Sequence, residues 1–144
     1  MAVDQGTRTV GTELTPFVRT TGFHNWNRYA AVNDEFVPIH MDDEAGRAQG
    51  FPGAFGMGNL MWSYLHDLLR NWMGDDGRIV SMSCSFRAPN NRGMTIEARG
   101  TVTAVREEGG ETLVDLDLAV VDHDAPDTVL VPATATVALP SQGS

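Results

Sequence analysis

The chain has 144 residues, of which 42% are hydrophobic, and a formal net charge of −9. That length suits one domain around one core, and an acidic chain without a cluster of Lys and Arg argues against a nucleic-acid partner, which needs grouped cations to release phosphate counterions. No apolar run approaches the roughly 18 residues of a membrane span, the first residues lack a signal-like apolar stretch, and the one cysteine, Cys84, forms no intrachain disulfide, so a cytoplasmic protein is expected.

Phe17 and Val18 suggest a short first strand ending near Thr20-Thr21-Gly22. From His24 to Val32, Trp26, Tyr29 and Ala30 fall at helical spacing, with Asn25 as the expected N-cap. The next segment, NDEFVPIH, is polar and broken by Pro38, so it reads as a loop leading to a second short helix at about Asp42 to Gln49. GFPG then turns the chain. Between Gly58 and Met73, Leu60, Met61, Tyr64, Leu65, Leu68, Leu69 and Trp72 recur every three or four residues, leaving Asn59, Ser63, Asp67 and Arg70 on a narrow polar strip. An apolar stripe this broad predicts a helix covered on most sides, stopped at Gly74.

Beyond Gly77 the period becomes two. Val80, Met82, Cys84 and Phe86 alternate with serines; Ile96, Ala98, Val102 and Ala104 alternate with polar residues; so do Val114, Leu116, Leu118 and Val120, and then Val131, Ala133, Ala135 and Val137. These are four strands, and EEGG (Glu107 to Gly110) is a tight hairpin signal that makes the sheet antiparallel there. About residues 1–12 and 139–144, the latter reading LPSQGS, are expected to be flexible ends. A buried helix followed by an alternating antiparallel sheet is an α+β arrangement in which the sheet wraps the helix.

Within NDEFVPIH, Glu35 lies five residues before His40, with Pro38 and Ile39 between them. This resembles the GDxNPLH stretch of the MaoC-like family of (R)-specific enoyl-CoA hydratases and 3-hydroxyacyl dehydratases, where an Asp has that spacing to a His. GFPGAFGMGNLM, Gly50 to Met61, is similar to the family's GFPGxIAHGML, which opens its long central helix. FRAPNNRGMTIEARGTVTAV, from Phe86, is similar to its strand, Arg/Pro turn and next strand. The resemblance covers roughly residues 15 to 137.

It implies a hot-dog fold over the whole chain, usually a homodimer or a heterodimer with another hot-dog chain, acting on acyl-CoA or acyl-carrier thioesters. The implied reaction is syn hydration of a trans-2-enoyl thioester, or its reverse, with no metal and no cofactor beyond the coenzyme A of the substrate. Glu35 and His40 would activate water, while the Gly58 N–H would stabilise the enolate oxygen at a helix N-terminus. Met57 and Phe55 would contact the substrate, and Arg87 and Arg92, flanking Pro89-Asn90-Asn91, would reach a cofactor phosphate.

The chain departs from the family in having Glu35 for Asp, Val37 for Asn, and Met57 where His or Gln is common. The first matters because a shift of about 1 Å can cost on the order of 100-fold in rate. Three functions therefore stand beside one another: a hydratase or dehydratase; a catalytically altered chain that binds a thioester or partners a catalytic subunit; and a thioesterase on the same fold. The plainer readings are that His40 caps the helix following Pro38, Glu35 is a solvated surface acid, Gly58 permits a turn, and the two arginines are surface charge. His24, His66 and His123 match no zinc spacing, and Cys84 lacks the local signature of a nucleophile.

Overall fold

The long apolar stripe forms the helix around which everything else is arranged. In the computed structural model, which describes residues 8–34 and 36–141, helix α3 (Gly58–Met73) buries Leu60, Met61, Leu65, Leu68, Leu69 and Trp72. It is preceded by strand β1 (Phe17–Thr20), helix α1 (Phe23–Asn33), a single 3₁₀ turn at Pro38–His40 and helix α2 (Asp43–Ala48). Strands β2 (Arg78–Cys84), β3 (Thr95–Glu108), β4 (Glu111–Asp122) and β5 (Ala125–Pro140) follow. The five strands form one antiparallel sheet in the order β1-β3-β4-β5-β2.

The sheet curls so that four of its strands, β1, β3, β4 and β5, reach α3. Their inward residues follow the sequence alternation: Val114, Leu116, Leu118 and Val120 of β4, and Val131, Ala133, Ala135 and Val137 of β5, join the α3 stripe in one core. Burying that continuous surface is the dominant favourable term in the fold. A second, smaller cluster unites Trp26 and Ala30 of α1 with Ala54, Met57 and Leu60. It fastens α1 to the start of α3. The hairpin expected at EEGG is present, with Glu108 opposite Glu111 and both Gly109 and Gly110 at positive φ, as a type I′ turn requires.

Three local expectations are revised. In β2, Ile79 pairs with Val137 and Ser81 with Thr136, so Val80 is the extra residue of a bulge. A bulge reverses the facing of what precedes it; Ile79 joins Met82 and Cys84 against the core, and Val80 is 47% exposed. Helix α1 begins at Phe23, and Asn25 sits in its first turn rather than at the N-cap, with its Oδ1 accepting the Gly22 N–H at 2.9 Å. At the far end the ladder runs further than expected: Leu139 is buried opposite Thr112, and the Arg8 guanidinium donates to the Pro140 carbonyl at 2.6 Å. Leu139 continues the inward alternation of β5, which is why it belongs to the strand. Gly11 likewise donates to the Val102 carbonyl at 2.8 Å.

No helix among the described residues is long and apolar enough to cross a membrane. The core reading makes a direct prediction. Leu65 is wholly buried on α3, so Leu65→Ala should lower the unfolding free energy by about 3 kcal/mol. Val80→Thr, on the outward bulge, should change it by less than about 0.5 kcal/mol. Urea unfolding of the two variants checks both values.

Candidate active site

The site is organised by the backbone of Ala54–Gly58, an irregular stretch whose polar groups must find partners outside it. Asp43 Oδ1 accepts the Ala54 N–H at 3.0 Å. The Phe55 N–H donates to the Ile39 carbonyl at 3.1 Å, and the Gly56 N–H to the Asn90 carbonyl at 2.6 Å. The Phe55 carbonyl receives His40 Nδ1 at 2.6 Å, and the two rings meet edge to face with centroids 5.3 Å apart. Elements on three sides thus hold this loop where it delivers Gly58 to the head of α3.

That contact defines the chemistry of His40. A carbonyl oxygen only accepts, so Nδ1 carries the hydrogen, and in the neutral ring Nε2 presents a lone pair. The histidine is half-buried on the 3₁₀ turn, whose geometry follows from Pro38 at its start. Its position is therefore set twice, by its own turn and by Phe55. Capping of the following helix falls instead to Asp42, which accepts the Ala45 N–H at 3.2 Å.

Gly58 is the first residue of α3, where N–H groups have no partner within the helix. A Cβ placed there would stand 3.0 Å from the Phe86 ring, so its lack of a side chain answers to space. Met57, directly before it, has its side chain buried in the small cluster, which leaves its backbone as the part facing the helix head. Phe55 is half-buried between His40 and Phe51. Arg92 reaches Asp43 Oδ2 at 2.8 Å and lies over the Phe23 ring, so its charge is already engaged. Arg87 is exposed just past β2 while its N–H donates to the Leu130 carbonyl at 2.8 Å. Glu35 lies outside the described residues. The chain reaches it from Asp34, the C-cap of α1, which adopts a left-handed conformation with φ 53° that Asp tolerates better than most residues.

Sequence reasoning did not single out Asp43, Thr21 or Asn90. Asp43 links α2, Ala54 and Arg92; Thr21 Oγ1 donates to the buried Asn90 Oδ1 at 2.6 Å and so ties the end of β1 to the turn that receives Gly56. Short polar residues in turns and at helix starts carry no signal that distinguishes a buried tie from a solvated one. Cys84 is half-buried against the core, and burial pushes its thiol pKa up, away from nucleophilic thiolate character. No group of three or more His, Cys, Asp or Glu among the described residues is arranged to hold a metal ion.

Comparison with known proteins then supplies the class. The model of the MaoC-like domain family matches residues 7–122, and the chain belongs to the MaoC-like hydratase/dehydratase family. An (R)-hydratase from A. caviae involved in PHA biosynthesis has a similar structure, with a TM-score of 0.82 at 24% identity over 94% of this chain and 99% of that one. The ChsH1-ChsH2 complex from Mycobacterium tuberculosis matches with a TM-score of 0.80 at 20% identity, over 92% and 99%. The HadBC (3R-hydroxyacyl-ACP dehydratase) complex of the same organism matches at 0.69 and 17%, over 92% and 98%. At these identities the likeness is one of fold, the hot-dog fold expected from the sequence. No curated protein matches the chain by sequence.

The Asp43 tie has a pH signature. The Ala54 N–H, and then the charge of Arg92, hold the Asp43 carboxyl below the usual carboxylate range, against an opposing effect of burial. A carboxyl whose folded pKa is depressed stabilises the fold fully above its unfolded pKa and loses that contribution as pH falls through the folded value. The tie is therefore intact at neutral pH and fails only below about pH 4. Asp43→Asn should lower stability at neutral pH and give a shallower acid limb than the wild type, as read from urea midpoints at about pH 7, 4 and 3.

Proposed function

We propose that this chain catalyses the reversible syn hydration of a trans-2-enoyl thioester, carried on coenzyme A or an acyl carrier, to the 3-hydroxyacyl thioester. The observation that carries the proposal is the tie from His40 Nδ1 to the carbonyl of Phe55, which leaves the Nε2 lone pair outside that bond and fastens His40 to the segment that leads, three residues on, to the glycine at the head of α3. A thioester carbonyl placed on the Gly58 N–H draws electron density from its conjugated double bond and leaves C3 electrophilic. One water, held between Glu35 and His40, attacks C3 as one of the pair takes its proton. The electrons pass to the carbonyl oxygen as an enolate, the pair delivers a proton to C2, and the carbonyl re-forms. The balance is water plus enoyl thioester giving hydroxyacyl thioester, with no redox step, and the proposal includes no metal or separate cofactor. For the coenzyme A phosphates, Arg87 is better suited than Arg92, whose guanidinium is paired with Asp43.

The site is proposed to be completed in a dimer. β1 and β2 are the edges of the sheet, and unpaired edge groups favour association with a second chain. A second reading, in which this chain partners a catalytic subunit, is favoured by Val37 and Met57 at positions where the family carries polar residues. Two of the similar structures are themselves complexes of two named chains.

Incubation with crotonyl-CoA and longer enoyl-CoA should show loss of enoyl absorbance without release of free thiol; thiol release would instead identify a thioesterase. Glu35→Gln and His40→Ala should each lower the rate about 100-fold or more, and the double variant should cost little beyond the worse single one. Glu35→Asp should keep substantial activity. Hydration undiminished by Glu35→Gln in a folded protein would falsify the pair. A silent wild type that gains hydration in Glu35→Asp, Val37→Asn would establish the partner reading. Gly58→Val should reduce turnover far more than stability, because the Phe86 ring is exposed and can yield. Light scattering should find a dimer at micromolar concentration, and a strict monomer without a partner chain would contradict the completed site.

A further inference from the structure

Phe86 is a large aromatic residue that is 53% exposed, and it is not placed at random. Its backbone is pinned on both sides: the Ser85 N–H donates to the Pro132 carbonyl at 3.0 Å and the Arg87 N–H to the Leu130 carbonyl at 2.8 Å. Counting by twos from Met82 and Cys84, which pack on the core, Phe86 continues the inward face past the end of β2, where α3 begins. There its ring carbons stand 3.0 to 3.2 Å from the point where a Gly58 Cβ would be. One side of the ring thus stands against the glycine whose N–H has no partner within the helix, while more than half of the residue's surface meets solvent.

We infer that Phe86 is a specificity-determining residue that limits how much bulk an acyl thioester can carry on C2. The inference rests on the thioester reading of Gly58 and deepens it. A carbonyl seated on the Gly58 N–H must bring its two neighbouring atoms past whatever stands on Gly58. One neighbour is the sulfur, which is common to all thioesters. The other is C2, which varies: it bears hydrogen in a straight-chain acyl group and a methyl in a 2-branched one. An aromatic ring whose backbone is held on both sides accepts the first and has to be pushed aside by the second. The discrimination comes from shape, and a single methyl in an apolar site is worth about 10- to 200-fold.

The test compares the wild type with Phe86→Leu and Phe86→Ala, each checked for folding and oligomeric state. Calorimetry gives the affinities for butyryl-CoA and 2-methylbutyryl-CoA, and steady-state kinetics gives kcat/KM for crotonyl-CoA and its 2-methyl analogue tigloyl-CoA. The wild type should favour the unbranched member of each pair by about tenfold or more, Phe86→Leu by less, and Phe86→Ala hardly at all. Selectivity in binding that collapses in Phe86→Ala without turnover in any variant would sustain the role of Phe86 and refute the hydration reaction. Turnover with the same selectivity in wild type and Phe86→Ala would refute the role of Phe86 and leave the reaction standing. So would a dimer that dissociates in Phe86→Ala with selectivity unchanged, since the ring would then serve the interface. A wild type that binds neither thioester, or both equally, also overturns the inference.

Discussion

The arrangement depends on how the irregular backbone from Ala54 to Gly58 is satisfied. Such a stretch has no ladder of its own, and buried N–H and C=O groups left unpaired cost as much as lost hydrogen bonds. Four of these groups are met from three elements: Asp43 of α2, Ile39 and His40 of the 3₁₀ turn, and Asn90 of the turn between β2 and β3. The same bonds that settle the backbone also set the tautomer of His40 and the height of Gly58. Stability and site geometry are here one set of contacts.

That loop is held against a rigid body. α3 is buried along most of its circumference by four strands, and close-packed interiors deform little. The small cluster of Trp26, Ala30, Ala54, Met57 and Leu60 extends this packing to the loop side. Met57 and Gly58 consequently divide their work: the one anchors the helix head by its side chain, the other exposes backbone by having none.

Two departures from the family pattern, Val37 and Met57, fall on side chains and not on the frame. Val37 supplies its carbonyl to the His40 N–H at 3.0 Å, a role any residue fulfils, so Val in place of Asn leaves the turn intact. Met57 is absorbed by the core in the same way. The scaffold of a MaoC-like chain is thus preserved, and chemistry is the level at which the hydratase and partner readings differ.

Periodicity by itself determined the elements: the covered helix from Gly58 to Met73, the four long strands and the hairpin at Glu107 to Gly110, because apolar spacing reports directly which faces must be buried. The order of NDEFVPIH and GFPGAFGMGNLM also determined the family, which the match over residues 7–122 bears out. What only the tertiary structure decided are the relations between segments far apart in the chain. The bulge that turns Val80 outward arises from pairing with β5, and no local pattern announces it. The bond between Thr21 and Asn90, the pairing of Arg92 with Asp43, and Phe86 standing on Gly58 are contacts between residues 28 to 69 positions apart. Sequence spacing fixes which residues share a strand or a helix face; only the curling of the sheet around α3 brings the turn after β2 to the head of that helix.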